Sequence, residues 1–290
     1  MTVAVTGASG HLGRLVADLV LERLDPAEVV LLTRTPEALG AYAERGAVVR
    51  HADFDEPDRL VDAFFGVGRA LLISAIDLER RAEQHRAAVE AAVAAGVGHM
   101  LYTSVPEPDE ANPAVVTPSH RATEQALRDS GLAWTFLRNN LYAEYQVPVV
   151  EQAIASGQVV TSAGEGRIAY VSRDDCAAAA AAVLVQDGHE GQAYDVTGPD
   201  PIGPHDLAAL ATEVGGRPVE VVPVDDEALV AGMVAAGMPE PRARALTSFA
   251  VAAREGFLGK VSSAVEELTG RPPRSLREIV VSSREGSSAG

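Results

Sequence analysis

Residues 3–13 have the sequence VAVTGASGHLG, in which a short apolar run is followed at once by three glycines spaced three residues apart. The apolar run is too short for a helix, and the residues after the glycines repeat apolar side chains at the spacing of an amphipathic helix. The stretch therefore predicts a strand, a tight turn and a helix. A second apolar run at residues 28–33 predicts a strand that returns beside the first.

The glycines of this turn suit the binding of phosphate groups. Gly7 allows the tight turn, Gly10 lets the backbone approach a pyrophosphate, and Gly13 lets the helix pack close to the strand. The helix then directs its positive N-terminal end at the phosphates. The predicted phosphate-binding residues are Gly7, Ala8, Ser9, Gly10, His11, Leu12 and Gly13. The spacing differs from that of the standard dinucleotide fingerprint, but the strand–turn–helix context favours a nucleotide site over a purely structural turn.

The end of the second predicted strand indicates which dinucleotide binds. NAD sites usually carry an acidic residue about 20 residues after the glycines, where it accepts hydrogen bonds from the ribose. Here the strand ends in Thr33 and Arg34. A carboxylate would repel a 2′-phosphate, whereas a guanidinium can bind it through two parallel hydrogen bonds. We therefore predict NADP(H) as the cofactor, with a solvated loop arginine as the alternative for Arg34.

The composition is that of an acidic chain of enzyme size. Among its 290 residues, 24 are lysine or arginine and 41 are aspartate or glutamate, which gives a formal net charge of -17. Such a charge repels nucleic acid and anionic membranes. No apolar run is long enough for a membrane span, and the first residues enter a strand rather than a signal peptide. We expect a cytoplasmic monomer or homodimer that binds neither nucleic acid nor membranes.

The single cysteine, Cys176, lies in an alanine-rich segment. This context predicts a small buried thiol rather than a nucleophile, a metal ligand or a disulfide partner. The sequence has no cluster of metal-ligating residues, so we predict no metal site.

Strands and helices are predicted to alternate along the rest of the chain, with helices at 117–129 and 173–185 among them. This alternation predicts a Rossmann-type, doubly wound, mostly parallel α/β sheet, which binds ligands at the carboxyl ends of its strands. Residues that follow the predicted strands are therefore further candidates for the cofactor site. These residues are Asp53, Ser74, Ala75, Ile76, Thr103, Ser104, Asn139 and Asn140. Asp53 could accept a hydrogen bond from the adenine amino group.

Residues 105–116 interrupt the alternation with three prolines and three acidic residues. This composition predicts a mobile lid with no role in the core. From about Tyr145 the alternation of strands and helices becomes less regular, apart from a return to the sheet at 170–198. One strand is expected at 219–222, and residues 159–170 form an irregular excursion.

The pattern divides the chain into two parts and a tail. Residues 1–141, with 170–198, are predicted to form the NADP(H)-binding domain. Residues 142–169 and 199–283 are predicted to form a smaller, mainly helical lobe that holds the substrate. Residues 284–290 are predicted to be a disordered tail.

Several short motifs occur in the order found in a known family. They are the glycine turn, LTR at 32–34, LIS at 72–74, QHR at 84–86, YTS at 102–104, the helix at 120–124, LRNNLY at 137–142, GHEG at 188–191 and LTGRP at 268–272. On these motifs, nearly the whole chain resembles the NmrA-like atypical short-chain dehydrogenase/reductases, and within them the branch of quinone oxidoreductases and triphenylmethane reductases. The resemblance implies that NADP(H) binds along residues 7–13, Arg34, 74–76 and 139–142, with the acceptor between the sheet edge and the smaller lobe.

The residues also limit the chemistry. Short-chain dehydrogenases that reduce ketones use Tyr-x-x-x-Lys, because the alkoxide that forms is strongly basic and needs a nearby acid. The single lysine here, Lys260, follows Gly256 by four residues, and the corresponding helix carries His120 and Glu124. Hydride addition to a quinone leaves a delocalised, phenolate-like anion that water or a histidine can protonate. We therefore predict an NADPH-dependent reductase of quinones or similar planar, electron-poor acceptors.

His120 and Tyr142 are the candidate catalytic residues. We expect His120 to position the acceptor, with proton delivery as one alternative and a solvated histidine in the first turn of a helix as another. For Tyr142 the alternative is core packing. A different class of function is also open, namely a non-catalytic NADP(H) sensor of the NmrA type. The absence of a basic tail from this sequence favours the reductase.

Overall fold

The structure is built around a seven-stranded, fully parallel sheet. The computed structural model describes residues 1–288. Its strands are β1 (Val3–Val5), β2 (Val29–Thr33), β3 (Val48–His51), β4 (Arg69–Leu72), β5 (His99–Ser104), β6 (Ala133–Asn139), β7 (Gln158–Thr161), β8 (Gln192–Val196) and β9 (Glu220–Pro223). The main sheet has the order β3-β2-β1-β4-β5-β6-β8, and β7 pairs with β9 separately. The predicted Rossmann-type, doubly wound α/β fold is confirmed.

Helices cover both faces of the main sheet and form most of the C-terminal part. They are α1 (His11–Leu21), α2 (Gly40–Glu44), α3 (Pro57–Phe64), α4 (Arg81–Ala94), α5 (Thr117–Asp129), α6 (Gln146–Ser156), α7 (Arg173–Val185), α8 (Pro204–Gly215), α9 (Asp226–Ala235), α10 (Glu240–Arg254), α11 (Ala264–Thr269) and α12 (Leu276–Ser288). No helix among residues 1–288 has the length and apolar character needed to cross a membrane.

Strands β1, β2 and β4 are mostly apolar because both faces of the sheet are covered. Every residue of β1, β2 and β4 is buried. Successive side chains point to opposite faces, so Val3 and Val5 pack in the core beneath α1 and α7, whereas Ala4 packs in the core beneath α3 and α4. This burial fixes the sheet and leaves the carboxyl ends of its strands at one edge.

The alanine-rich helix α7 packs closely against α1. Its segment from Asp175 to Leu184 is buried throughout. Small side chains let two helices approach closely, which explains an alanine run at this position. Cys176 is buried within the run, as predicted, and burial raises the pKa of its thiol well above the usual value.

A third hydrophobic cluster lies in the C-terminal part. It joins α6, α8, α10 and α12 through residues such as Val150, Ala211 and Ala252. Strand β7, where only an irregular excursion was predicted, pairs in parallel with β9, so that Val159 lies opposite Val221. A four-residue strand with a partner so far along the chain leaves little local signal. We propose that the predicted division into a sheet domain and a smaller lobe describes this arrangement.

Residues 105–116 are packed, so the prediction that they have no role in the core was wrong. Ala114 is 3% exposed and belongs to the third cluster. The buried Asn112 side chain donates to the carbonyl oxygens of Pro106 (3.3 Å) and Glu107 (3.1 Å) and accepts from the Ala114 N–H (3.0 Å). The Asn112 amide thus makes hydrogen bonds with three backbone groups of a proline-rich segment that cannot form regular secondary structure.

The C-terminal helix extends further than the sequence indicates. Helix α12 continues through Ser288, so the disorder predicted for residues 284–290 is not seen at 284–288. Residues 289 and 290 lie outside the described part of the chain. The helix packs on the third cluster through the buried Ile279 and Val280, and near its end Arg284 Nη1 bonds Glu151 Oε1 of α6 at 2.7 Å.

Candidate active site

A cavity of about 620 Å³ opens at the carboxyl edge of the main sheet. The predicted site residues that line it are Gly7, Ser9, Gly10, His11, Leu12, Gly13, Arg34, Asp53, Ser74, Ala75, Ile76, Thr103, Ser104, His120, Asn139, Asn140 and Tyr142. Ala8 is the exception, because its side chain is fully buried in the core and its N–H donates to the Leu32 carbonyl. The fold thus collects residues from the ends of six strands, β1 to β6, around one space.

The glycine turn has the backbone geometry that a phosphate site requires. Gly7 has a φ of +59°, in the left-handed region that favours glycine. A Cβ on Gly13 would lie 2.3 Å from the Gly7 carbonyl oxygen, so only glycine lets α1 start this close to the turn. Gly10 offers no side chain to cap α1, which leaves backbone N–H groups of its first turn free to bind an anion.

The end of β2 presents a cation to this turn. The Ser9 and Thr33 hydroxyls lie 2.8 Å apart and connect the turn to the strand. Arg34 follows, is exposed, and makes no hydrogen bond or ion pair with the residues that the structure describes. Asp53 lies across the cavity, where its Oδ1 accepts from the Asp55 N–H at 3.0 Å. An exposed guanidinium beside a phosphate-binding turn fits a dinucleotide with an additional phosphate.

The side chains of the two asparagines at the end of β6 differ in their hydrogen bonds. The Asn140 side chain donates to the Leu258 carbonyl at 2.9 Å and accepts from the Leu141 N–H at 2.8 Å, so it ties the sheet to the smaller lobe. The Asn139 side chain is 7% exposed, and neither of its polar atoms makes a hydrogen bond of ordinary geometry in the described residues, although the Tyr142 hydroxyl lies near it. A buried amide at a cavity wall that makes no hydrogen bond of ordinary geometry within the described residues is available to bind a ligand there.

Comparisons with known proteins identify the family to which this chain belongs. A family model described as NAD(P)H-binding matches residues 7–187, from the first glycine of the turn to the end of α7. Quinone oxidoreductase 2 of Escherichia coli is 35% identical over 278 residues, which are 96% of this chain and 97% of that protein. The chain belongs to the NmrA-like, NAD(P)H-binding oxidoreductases.

Solved structures of this family share the whole fold. The E. coli NADPH-dependent quinone oxidoreductase, complexed with NADPH, has a TM-score of 0.93 over 97% of this chain and 99% of that chain, at 35% identity. The triphenylmethane reductase of Citrobacter sp., complexed with NADP(H), has a TM-score of 0.89 at 35% identity and the same coverage. The NAD(P)H azoreductase of Xenophilus azovorans is 28% identical over 96% of each chain. The predicted family and the NADP(H) cofactor are confirmed.

In this member of the family, His120 is not a solvated residue, so that alternative was wrong. The ring is 4% exposed, with Nδ1 2.7 Å from the Tyr102 hydroxyl and Nε2 3.2 Å from Arg81 Nη1. A guanidinium can only donate, so we assign the ring proton to Nδ1 and the accepting lone pair to Nε2. Burial, with the nearby Arg81 charge, lowers the pKa of His120 well below its usual value. The imidazole is therefore neutral near pH 7.

Glu124 does not act on His120, although the two lie one turn apart on α5. Its carboxylate accepts from Arg138 Nε at 3.0 Å and Nη2 at 2.8 Å, and from the Ser104 hydroxyl at 2.7 Å. Arg128 Nη2 adds a contact at 2.9 Å. Glu124 thus joins α5 to β5 and β6 beneath the cavity.

Tyr142 lies between the core and the cavity. Its ring packs against the core cluster of α1 and α7 and also lines the cavity. The Arg173 guanidinium lies 4.7 Å from the Tyr142 ring and 4.5 Å from the Tyr145 ring. Burial raises the pKa of the Tyr142 hydroxyl, which makes it a weak acid. The Tyr142 side chain therefore both packs against the core and forms part of the cavity wall.

Sequence reasoning missed several residues that line the cavity. Arg81, Tyr145, Arg173 and Phe249 come from α4, the short turn before α6, α7 and α10. Arg81 lies three residues before the QHR motif, which was a signal that could have drawn attention to it. Tyr145, Arg173 and Phe249 carry no such signal in the sequence, because the elements that hold them meet at the cavity only in the tertiary structure.

The buried histidines make stability dependent on pH. His85 Nε2 accepts from the Ala75 N–H at 2.9 Å, and burial lowers its pKa to about 3. Below about pH 6.5 the unfolded chain protonates both His85 and His120, whereas the folded chain does not. We therefore expect full stability above about pH 6.5 and a loss as the pH falls from there. For His85 this loss is about 1.4 kcal/mol per pH unit down to about pH 4, and His120 adds a loss in the same direction.

This pH dependence can be measured by urea unfolding between pH 4.5 and 7.5. His85→Gln is expected to flatten the slope by one histidine's share, whatever its effect on stability at pH 7. His205→Gln, which replaces an exposed histidine, is the control and keeps the wild-type slope. Parallel curves for wild type and His85→Gln would refute the assignment.

Proposed function

We propose that the chain is an NADPH-dependent reductase that transfers a hydride to quinones or similar planar, electron-poor acceptors. One observation carries this proposal. A single cavity joins the glycine turn to an aromatic wall, and the helix that would carry the usual tyrosine and lysine holds a buried, neutral histidine instead. The family relatives named above are reductases of a quinone, a triphenylmethane dye and an azo compound, which supports an acceptor of this kind.

The cofactor fits residues that the structure brings together. The backbone of residues 7–13 would hold the pyrophosphate, Arg34 the 2′-phosphate, and Asn139 would use its unpaired amide on the nicotinamide side. When bound, NADPH supplies the hydride. We also propose that Asp53, the residues that follow β4 and the last residues of β5 contact the cofactor.

The chain's own contribution to the reaction is binding and alignment. Tyr142, Tyr145 and Phe249 offer aromatic surface against which a planar acceptor can stack. Ile76 is 88% exposed at the rim, where an apolar ligand would cover it. His120 is neutral near pH 7 and lacks the acidic proton of an imidazolium, and its Nδ1–H is bonded to the Tyr102 hydroxyl. We therefore propose that it positions other groups and that water protonates the reduced acceptor.

The proposed activity is tested by NADPH oxidation against quinones, triphenylmethane dyes, azo compounds and aliphatic ketones. We expect turnover of the conjugated acceptors and none of the ketones. Fast reduction of a simple ketone at neutral pH would contradict the proposal. If NADPH binds but no acceptor oxidises it, the alternative of a non-catalytic NADP(H) sensor takes its place.

Arg34 is proposed to select the cofactor. Arg34→Ala is expected to weaken NADPH binding by about 1.5 to 3 kcal/mol, the range for a hydrogen bond to a charged group, and to leave NADH binding nearly unchanged. Titration of both cofactors into wild type and variant measures this. Arg45→Ala, which removes an exposed arginine paired with Asp18, serves as the control. Equal losses for NADPH and NADH would overturn the role of Arg34.

We further propose that the protein works in the cytoplasm on small molecules, without nucleic acid, as a monomer or homodimer. The net charge of -17 supports the exclusion of nucleic acid. Light scattering in solution determines the oligomeric state, and retention on a DNA column at low salt would contradict the charge argument.

A further inference from the structure

Arg81 is a buried cation without a carboxylate partner. It begins α4, lines the cavity and is 6% exposed. Among the ion pairs of residues 1–288 none includes Arg81, whereas its neighbour Arg80 has a side chain 51% exposed and pairs with Asp55 at 3.0 Å. Asp77, which also lines the cavity, has a favourable electrostatic effect on Arg81 but forms no ion pair with it among the described residues. A buried guanidinium with no carboxylate in contact is costly to desolvate, so its retention at a ligand cavity points to a ligand oxygen that carries or gains negative charge.

Neutral groups hold the guanidinium in one orientation. Arg81 Nε donates to the Ala75 carbonyl at 2.6 Å, and Nη1 donates to His120 Nε2 at 3.2 Å, with the Ser119 hydroxyl at 3.4 Å. These contacts join the end of β4 to the first turn of α5. Nη2 makes no hydrogen bond with any residue in the described part of the chain, so one edge of the fork has donors to spare.

His120 explains why this orientation persists. A neutral imidazole with its proton on Nδ1 presents a lone pair to Arg81, whereas an imidazolium would repel the guanidinium. The Tyr102 hydroxyl on the other side of the ring keeps that tautomer in place. His120 is therefore a positioning residue for Arg81.

We propose that Arg81 binds the carbonyl oxygen of the acceptor and stabilises the negative charge that hydride addition leaves there. This inference rests on the proposed function. The acceptor would receive the hydride at a ring carbon conjugated with the bound carbonyl, where a C–H bond forms as the C4–H bond of the reduced nicotinamide breaks. The displaced π electrons move to the carbonyl oxygen, and the nicotinamide is oxidised by two electrons. The oxyanion then takes a proton from water. A guanidinium stabilises this charge without giving up a proton, so it replaces the missing tyrosine and lysine only for acceptors whose anion is weakly basic.

The test compares Arg81→Gln, Arg81→Lys and the control Arg80→Gln. For each variant we would measure kcat and KM at saturating NADPH with a series of quinones whose reduced anions increase in basicity, together with the Kd for NADPH and the melting temperature. Arg81→Gln is expected to lower kcat on the order of 10²-fold or more, as for removal of an oxyanion-binding donor. The loss should increase with the basicity of the anion, and Arg81→Lys should recover part of it. Arg80→Gln should stay within about twofold of wild type.

Three outcomes would overturn the inference. If Arg81→Gln weakens NADPH binding but keeps kcat at saturation, Arg81 binds a cofactor phosphate. If kcat falls equally for all quinones together with the melting temperature, Arg81 has a structural role. If Arg81→Gln does not fold, Arg81→Lys decides, since a loss independent of anion basicity in that variant refutes the proposal. A wild-type protein that reduces no quinone would instead refute the proposed function.

Discussion

Replacing Glu124 by leucine is expected to lower the free energy of unfolding by about 3 to 5 kcal/mol, because one partner of a buried ion pair is removed. The Glu124 side chain is 2% exposed and receives hydrogen bonds from Arg138, Arg128 and Ser104. Without it, Arg138, whose side chain is 23% exposed, keeps its charge with no carboxylate at that contact. Urea unfolding at pH 7 measures the loss.

Two further variants separate the ion pair from the shape of the side chain. Glu124→Gln keeps an accepting oxygen of similar shape and should lose less than the leucine variant. Glu240→Leu removes an exposed carboxylate that pairs with Arg244 within α10, and it should cost at most about 0.5 kcal/mol. Similar losses at positions 124 and 240 would mean that burial does not determine the strength of the interaction.

Replacing Gly13 by alanine is expected to cost about 3 kcal/mol of stability, at the upper end for an overpacked site. The added Cβ would lie 2.3 Å from the Gly7 carbonyl oxygen and 2.7 Å from Ala8 Cα, and both are backbone atoms that cannot rotate away. The turn and α1 must therefore separate, which moves the N–H groups that would bind phosphate. We expect NADPH affinity to fall by at least about tenfold, or about 1.4 kcal/mol.

Gly40→Ala is the matched control for this prediction. Gly40 begins α2 with helical dihedral angles, and a Cβ there would meet no atom within 4 Å. Alanine at this position should leave NADPH binding unchanged and keep or raise stability, since it favours the helix by up to about 1 kcal/mol. A Gly13→Ala protein with the melting temperature and NADPH affinity of wild type would contradict the proposed packing role of Gly13.

Local patterns determined most of the sheet domain. Continuous apolar runs such as Val29–Thr33 become strands covered on both faces, and helices α5 and α7 have the predicted bounds of residues 117–129 and 173–185. The three glycines identified the turn because its geometry depends on neighbouring residues alone. The spacing of apolar residues and the residue types of turns are visible within a few residues of sequence, so both can be recognised before the fold is known.

The smaller lobe depended on contacts that no local pattern shows. Strand β7 forms because its partner β9 comes from a distant part of the chain, and residues 105–116 are packed because Ala114 reaches the cluster of α6, α8 and α10. Helix α12 packs on the same cluster through Ile279 and Val280, and beyond them Arg284 contacts Glu151 of α6. A short or polar segment is stabilised by its tertiary neighbours, and those are not local in sequence.

The sequence by itself determined the fold class, the glycine turn between the first strand and helix, the NADP(H) cofactor and the absence of the Tyr-x-x-x-Lys acid pair. Only the tertiary structure decided the protonation state of His120 and brought Arg81 beside it, since they lie on different helices that meet at the end of β4. The charge of a side chain depends on its burial and on the charges around it. Both are set by the packing of α4 against α5, which no motif in either helix reveals.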